Sequence, residues 1–136
     1  MQDVVDHSRM PTAPGRARVL VVDDEPMVGR AISRGLRDHD VTVVTSGTDA
    51  LALLQRGERF DAVLCDVMMP SMPGFDLHDH VRVLAPDQAD RMVFMTGGAT
   101  TPRAREFVAS RGDTVLQKPL SMDVVRETVA RLLRRH

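Results

Sequence analysis

From Arg18 onward, short apolar runs alternate with segments of helical periodicity. The first run, Val19–Val22, is apolar at successive positions, as expected for a strand buried on both faces of a sheet. After Pro26, apolar residues recur every three or four positions, which predicts an amphipathic helix. This order repeats, with predicted strands at 19–22, 41–45, 62–65, 92–95 and 114–117. Because crossovers between parallel strands are right-handed and usually helical, the sequence predicts an α/β fold: a doubly wound five-stranded parallel sheet with five helices.

Residues of known capping preference mark the ends of the predicted helices. The second helix follows Ser46 and stops at Gly57, the third covers residues 74–84, the fourth starts at Thr101 and Pro102 and stops at Gly112, and Ser121 caps the fifth. In that last helix Val125, Val129 and Leu132 are predicted to face inward, and Arg126, Arg131, Arg134 and Arg135 outward.

Residues 1–17 show no sustained apolar period, so we interpret them as a flexible leader or linker and residues 18–136 as one domain. The net charge of −1 argues against broad binding of nucleic acid or anionic membranes. The single cysteine, Cys65, excludes an internal disulfide framework. No apolar run is long enough to span a bilayer, and a secretory signal is absent, so we expect a cytoplasmic protein.

Polar residues stand where the predicted strands end. Asp23 and Asp24 follow the first strand, Asp66 the third, Thr96 the fourth and Lys118 the fifth. Each alone has an ordinary explanation: helix capping for an aspartate, strand propensity for a threonine, solvation for a lysine. Parallel strands, however, place their carboxyl ends at one edge, where ligands bind in doubly wound folds. Their coincidence at consecutive strand ends favours a functional site.

The chemistry of this set suits phosphoryl transfer. Three clustered carboxylates repel one another unless a cation is present, and Mg²⁺ prefers hard oxygen ligands. A hydroxyl from Thr96 and an ammonium from Lys118 would cover the remaining phosphoryl oxygens. Lys118 is the single lysine among 18 basic residues, and its compact ammonium fits a confined position better than the planar guanidinium of arginine.

Taken together, residues 18 to 134 resemble the receiver domain of two-component response regulators. The resemblance rests on the acidic pair Asp23-Asp24, on the stretch Asp66-Val-Met-Met-Pro-Ser-Met-Pro-Gly74, on Thr96 and on Lys118-Pro119. It implies a flavodoxin-like fold with strand order 2-1-3-4-5. It also implies phosphorelay signal transduction by a phosphoacceptor domain that contributes to its own phosphotransfer and is not otherwise an enzyme.

The resemblance assigns a role to each site residue. It implies that Asp66 accepts a phosphoryl group from a phosphohistidine on a sensor histidine kinase or a histidine phosphotransfer protein. Asp24, Asp66 and the main-chain carbonyl of Met68 would ligate Mg²⁺ (or Mn²⁺), with Asp23 acting through water. Thr96 and Lys118 would contact the phosphoryl group. The bond between Lys118 and Pro119 is expected to be cis, and Gly97 is the small residue that keeps the pocket open.

Three positions depart from the family pattern. Many receivers couple the threonine to an aromatic residue three positions before the lysine, but here that residue is Val115, and the chain has neither Tyr nor Trp. We therefore expect phosphorylation to move Thr96 and the loop 97–101 without an aromatic flip. Met68 and Gly98 offer no polar side chain to position an attacking water, which predicts a long-lived phosphoryl group.

The stretch from Thr96 to Phe107 and the Val115-Leu-Gln-Lys-Pro run look most like receivers of hybrid sensor histidine kinases. The domain is thus interpreted either as a stand-alone receiver or as part of such a kinase. The exposed arginines of the last helix favour a solvated face over a docking or homodimer surface formed by the last two helices. No direct nucleic-acid contact or membrane insertion is expected.

Two other functions fit these residues less well. A pseudo-receiver would act as an interaction module without phosphorylation, but the complete set of aspartates, threonine and lysine argues against it. An aspartyl-nucleophile phosphatase of the haloacid-dehalogenase type would need a second aspartate two residues after Asp66, where Met68 stands. The phosphorelay interpretation is therefore favoured.

Overall fold

The computed structural model describes residues 15–134. The strands are β1 (Arg18–Val22), β2 (Asp40–Val44), β3 (Ala62–Asp66), β4 (Met92–Thr96) and β5 (Val115–Gln117). The helices are α1 (Pro26–Gly35), α2 (Gly47–Gln55), α3 (Gly74–Leu84), α4 (Pro86–Ala89), α5 (Pro102–Arg111) and α6 (Met122–Leu133), with a 3₁₀ turn at Gly112–Thr114.

All strand pairs are parallel, and the sheet order is β2-β1-β3-β4-β5. The predicted doubly wound sheet is confirmed. The chain first moves outward from β1 to β2 and then returns to place β3 on the other side of β1. That reversal creates a crevice at the carboxyl ends of β1 and β3, the usual binding position in such sheets.

Two apolar clusters cover the two faces of the sheet. Side chains alternate along β1, so Leu20 and Val22 join one cluster while Val19 and Val21 join the other. The first cluster includes buried residues of α2, α3 and α5, and the second includes those of α1 and α6. Burial on both faces explains why β1, β3 and β4 read as continuous apolar runs.

Side chains cap three of the helices as the sequence predicted. Ser46 Oγ accepts a hydrogen bond from the Asp49 amide at 3.0 Å, and Thr101 Oγ1 accepts one from the Ala104 amide at 3.1 Å. Ser121 Oγ accepts from Val124 at 3.4 Å. Each bond satisfies a backbone amide that has no carbonyl partner within its helix.

The extra helix α4 adds to the five that periodicity predicted. It is only four residues long, too short for a periodic signal. Gln88 of α4 is buried and bonds the backbone of Phe60 twice, accepting from its amide at 2.8 Å and donating to its carbonyl at 3.1 Å. α4 therefore attaches the end of α3 to the loop before β3.

Some predicted boundaries shift by one residue. β2 covers residues 40–44 rather than 41–45. β5 begins at Val115 and not at Thr114, because the 3₁₀ turn occupies the preceding residues. Of the predicted leader, residues 1–14 lie outside the described residues, and so does Arg135. Ala17 is fully buried and its carbonyl accepts from the Asp40 amide, so the packed chain already includes this residue.

The last helix matches its predicted pattern over the described residues. Val125, Val129 and Leu132 are buried, whereas Arg126, Arg131 and Arg134 are exposed. None of the helices between residues 15 and 134 has both the length and the apolar character needed to cross a bilayer.

Candidate functional site

Three carboxylates meet at the carboxyl-terminal edge of the sheet. Asp66 is the last residue of β3, and Asp23 and Asp24 directly follow β1. Val22 pairs with Cys65 across these neighbouring strands, so the residues that follow lie side by side. Carboxylate oxygens of the three aspartates lie within 4.8 Å of one another. The fold thus brings together three acidic residues that are far apart in the sequence.

Lys118 lies against this carboxylate cluster. Its Nζ is 2.9 Å from Asp23 Oδ2 and 3.4 Å from Asp66 Oδ2. Lys118 directly follows β5, and its bond to Pro119 is cis, as the resemblance implied. The ammonium therefore bridges the two buried aspartates from the opposite side of β3.

Glu25 also belongs to the site, although the sequence did not single it out. Its Oε1 lies 3.4 Å from Lys118 Nζ, and its backbone amide donates to Asp23 Oδ1 at 2.9 Å. The available signal was the run of three acids after β1, of which only two were assigned a role. A strand end does not reveal which of three consecutive carboxylates turns toward the neighbouring strands.

Thr96 occupies the predicted strand end but not the cavity wall. It is the last residue of β4 and is buried. Its Oγ1 accepts a hydrogen bond from the Gly98 amide at 3.0 Å, and its carbonyl accepts one from the Lys118 amide at 2.8 Å. The threonine therefore connects the loop after β4 to the start of the lysine segment.

The backbone after β3 holds Asp66 in place. The Met68 amide donates to Asp66 Oδ1 at 3.3 Å, and the Gly74 amide donates to the Val67 carbonyl at 2.8 Å. A Cβ added at Gly74 would collide with the Asp66 carbonyl oxygen. A glycine is required here because the start of α3 approaches the backbone of β3 so closely.

Burial and charge shape the titration of the site. Burial, followed by the negative charge of Asp23, raises the pKa of Asp66 to about 6, although the Lys118 ammonium acts in the opposite direction. Burial alone would lower the pKa of Lys118, but its bonds to Asp23 and Asp66 outweigh that effect and raise it. The site therefore disfavours the charged form of Asp66 even with Lys118 in place.

Cys65 is a packing residue. It is fully buried, and burial raises the pKa of its thiol above the ordinary value. A neutral, inaccessible thiol is a poor nucleophile.

A cavity of about 340 Å³ opens beside the cluster, lined by Asp24, Glu25, Asp66, Met68, Gly97, Gly98 and Lys118. The site suits a hard divalent cation such as Mg²⁺, because three carboxylates supply oxygen donors and the cavity is open to solvent. A cation would also stabilise the charged form of Asp66, whose pKa is raised. Asp23, Asp24 and Asp66 are the residues that could hold it.

Comparison with known proteins identifies the family. The model of the response regulator receiver domain matches residues 19–130. The chain belongs to this family. The resemblance stated from the sequence is thereby confirmed, and so is the flavodoxin-like fold it implied.

Individual relatives support the same assignment. This receiver domain is 32% identical over 114 residues to the sensor histidine kinase RcsC of Salmonella typhimurium, covering 82% of the chain and 12% of the kinase. It is 34% identical over 122 residues to the sensor kinase CckA of Brucella abortus, covering 88% of the chain and 13% of that kinase. It is 33% identical to the probable transcriptional regulatory protein TcrX of Mycobacterium tuberculosis, covering 86% of the chain and 50% of that regulator.

Among solved structures, the receiver domain of the Francisella response regulator 1452 is similar, with a TM-score of 0.71 and 27% identity, covering 88% of this chain and 98% of that one. The chain spans only a small part of the sensor kinases and about half of the transcriptional regulator. The predicted likeness to receivers joined to sensor kinases is confirmed by RcsC and CckA.

Proposed function

We propose that this receiver domain takes a phosphoryl group from a phosphohistidine of a sensor histidine kinase, or of a histidine phosphotransfer protein, onto Asp66 in a Mg²⁺-dependent reaction. The observation that carries the proposal is the gathering of Asp23, Asp24 and Asp66 within 4.8 Å, with the Lys118 ammonium bonded to two of them. A site of this composition can neutralise phosphoryl oxygens while presenting a carboxylate nucleophile.

In the proposed reaction, an oxygen of Asp66 attacks phosphorus while the bond between phosphorus and the histidine nitrogen breaks. The imidazole leaves with its electron pair, and the product is an aspartyl phosphate. Asp24, Asp66 and the Met68 main-chain carbonyl would hold the Mg²⁺ directly, with Asp23 acting through water. When bound, the ion supplies charge neutralisation for the phosphoryl oxygens.

Lys118 would contact the negative charge of Asp66 before phosphoryl transfer and that of the phosphoryl group afterwards. Its ammonium is already 3.4 Å from Asp66 Oδ2, and only 17% of its side chain is exposed. Once Asp66 carries a phosphoryl group, the same ammonium can donate to a phosphoryl oxygen with a short movement. Lys118 is therefore proposed to stabilise both the transferring group and the phosphorylated state.

The conformational response is proposed to run through Thr96. Its hydroxyl accepts from the Gly98 amide, and its proton is free to bond a phosphoryl oxygen. Movement of the hydroxyl toward Asp66 would pull on the loop 97–101, while Val115 supplies no aromatic ring to swing inward. Backbone NMR spectra of that loop should change on phosphorylation, and identical spectra would contradict this route.

Removal of the phosphoryl group is proposed to be slow without help. Met68 and Gly98 line the cavity but carry no polar side-chain group to orient a water molecule. Back-transfer or a phosphatase would then set the lifetime of the signal. Rapid unassisted loss of the label would count against this interpretation.

The direct test is to incubate the protein with phosphoramidate, a small donor with a phosphorus–nitrogen bond, in the presence of Mg²⁺. Intact mass should increase by one phosphoryl group, and the increase should disappear in Asp66→Asn and with a chelator. Asp38→Asn, which removes an exposed carboxyl outside the site, is the matched control and should behave like the wild type.

The same experiment separates the alternatives. An unchanged mass in the wild type would favour a non-phosphorylated interaction module. Sustained turnover of a generic phosphomonoester would favour an aspartyl phosphatase. The cytoplasmic location and the domain boundary at residue 18 stay predictions, and a homodimer through the last two helices stays the less favoured alternative to a solvated face.

A further inference from the structure

A second cavity, of about 370 Å³, lies far from the carboxylate cluster. It is lined by His78, Arg82, Pro86, Ala89, Asp90 and Arg111, none of which lines the first cavity. Arg111 ends α5, and Asp90 stands just before β4. Both therefore lie toward the amino-terminal edge of the sheet, whereas Asp66 and Thr96 lie at its carboxyl-terminal edge. We call this space the lower cavity.

Aromatic rings hold the Arg111 guanidinium in one place. Its central carbon lies 5.3 Å from the ring centroid of Phe94 and 5.7 Å from that of Phe107. The two rings meet edge to face with centroids 4.7 Å apart. His78 packs on the same pair, with centroid distances of 5.6 and 5.9 Å. Cation–π contacts fix the position of the guanidinium but leave its hydrogen-bond donors unused.

One of those donors has no partner although it is buried. Arg111 Nε is buried and has no hydrogen-bond partner among the described residues. Buried donors are rarely left unsatisfied, because the lost hydration costs about 1–3 kcal/mol. Because Arg111 also lines the cavity, its terminal guanidinium nitrogens can donate to a ligand there, whereas Nε is buried out of a ligand's reach.

The surroundings indicate what kind of acceptor fits. Arg82 adds a second guanidinium at the cavity, and Pro86 and Ala89 add apolar surface. Burial and the charges of Arg111 and Arg82 lower the pKa of His78, so at neutral pH its imidazole is uncharged. Asp90 contributes a negative charge, which disfavours a doubly charged anion more than a singly charged one. A planar carboxylate matches the guanidinium fork and can bond two donors at once.

We propose that the lower cavity binds a carboxylate carried on a short apolar chain, with Arg111 as the principal donor and Arg82 as the second. The carboxylate oxygens accept from the terminal nitrogens of the Arg111 guanidinium, and the carbon chain lies on Pro86 and Ala89. Such a group can come from a free organic acid or from an acidic side chain of another protein.

The test is an NMR titration with butyrate, recording the Arg111 Nε–Hε signal and the Ala89 amide. Butyrate should shift both signals in a saturable manner, whereas butyramide, its uncharged analogue, should leave them unchanged. Acetylglutamyl amide, which carries a protein-like carboxylate, is titrated in parallel. Tighter binding of this compound assigns the ligand to a protein side chain, and tighter binding of butyrate assigns it to a free acid.

Variants complete the experiment. In Arg111→Gln the Ala89 shift should need at least about tenfold more butyrate, which corresponds to ~1.4 kcal/mol. Arg111→Lys keeps the positive charge but lacks the planar fork that bonds two carboxylate oxygens at once, and its binding should be intermediate. Arg105→Gln removes an exposed arginine of the same helix and should match the wild type. Equal binding in folded Arg111→Gln, equal shifts with butyramide, or no saturable shift would each overturn the proposal.

Discussion

Asp66→Asn should stabilise the metal-free protein at pH 8, even though it removes the proposed nucleophile. Burial and the neighbouring Asp23 raise the pKa of Asp66 from its ordinary 3.8 to about 6. The difference corresponds to ~3 kcal/mol between the neutral and charged forms. Solvent reaches this carboxyl through the open cavity and screens the interaction, so we expect a gain of roughly 1–2 kcal/mol.

The pH dependence has a definite direction. Because the pKa is higher in the folded than in the unfolded protein, the neutral carboxyl contributes stability fully below about pH 4, and that contribution is lost as the pH rises through about 6. At pH 5 about half of the cost of ionising Asp66 should already be relieved. The advantage of Asp66→Asn over the wild type should therefore fall by about half between pH 8 and pH 5.

Urea unfolding at the two pH values, with a chelator present, measures this difference. Asp38→Asn, at an exposed position, controls for the loss of one negative charge. A gain that is the same at pH 5 and pH 8, or no gain at pH 8, would refute the argument that the folded site disfavours the charged carboxyl. Adding Mg²⁺ should stabilise the wild type more than the variant, since a ligand that binds only the folded state adds to its stability.

Two further predictions concern the same edge of the sheet. The variant Lys118→Arg should still accept a phosphoryl group at Asp66, but the NMR signals of the loop 97–101 should shift less on phosphorylation. The reason is that the larger guanidinium loses one charge-assisted hydrogen bond, worth ~2 kcal/mol. An undiminished shift of the loop signals would argue against a specific need for an ammonium group. Gly74→Ala should lose about 1–3 kcal/mol in urea unfolding, because its Cβ would collide with the Asp66 carbonyl. Gly97→Ala is the matched control, since its Cβ would come no closer than 3.8 Å to Lys118; equal stability of the two variants would contradict the assigned close approach.

The alternation of buried strands and amphipathic helices could be predicted from the sequence, because both patterns are local. A strand covered on both faces must be apolar at successive residues, and a helix covered on one face must repeat every three or four. Parallel topology then places all strand ends at one edge. That is why Asp23, Asp66 and Lys118 could be selected before their contacts were known.

What those residues do to one another was decided by the tertiary structure. The bond from Lys118 to Asp23 joins positions 95 residues apart, and the raised pKa of Asp66 depends on burial and on Asp23. The turn of Glu25 toward Lys118 and the hydrogen bond that the Gly98 amide donates to Thr96 Oγ1 also follow from loop conformation, which no periodic pattern encodes.

The lower cavity is a further feature that the sequence pattern could not predict. His78 and Arg111 stand in predicted helices with no motif around them. Only the packing of α3 and α5 together against β4 places both residues on Phe94 and Phe107. Gln88 likewise gains its role from a backbone 28 residues away. Local periodicity therefore determined the architecture and the edge of the sheet that carries the site. Long-range contacts decided the hydrogen bonds of the site, the effect of Asp23 on the pKa of Asp66, and the lower cavity.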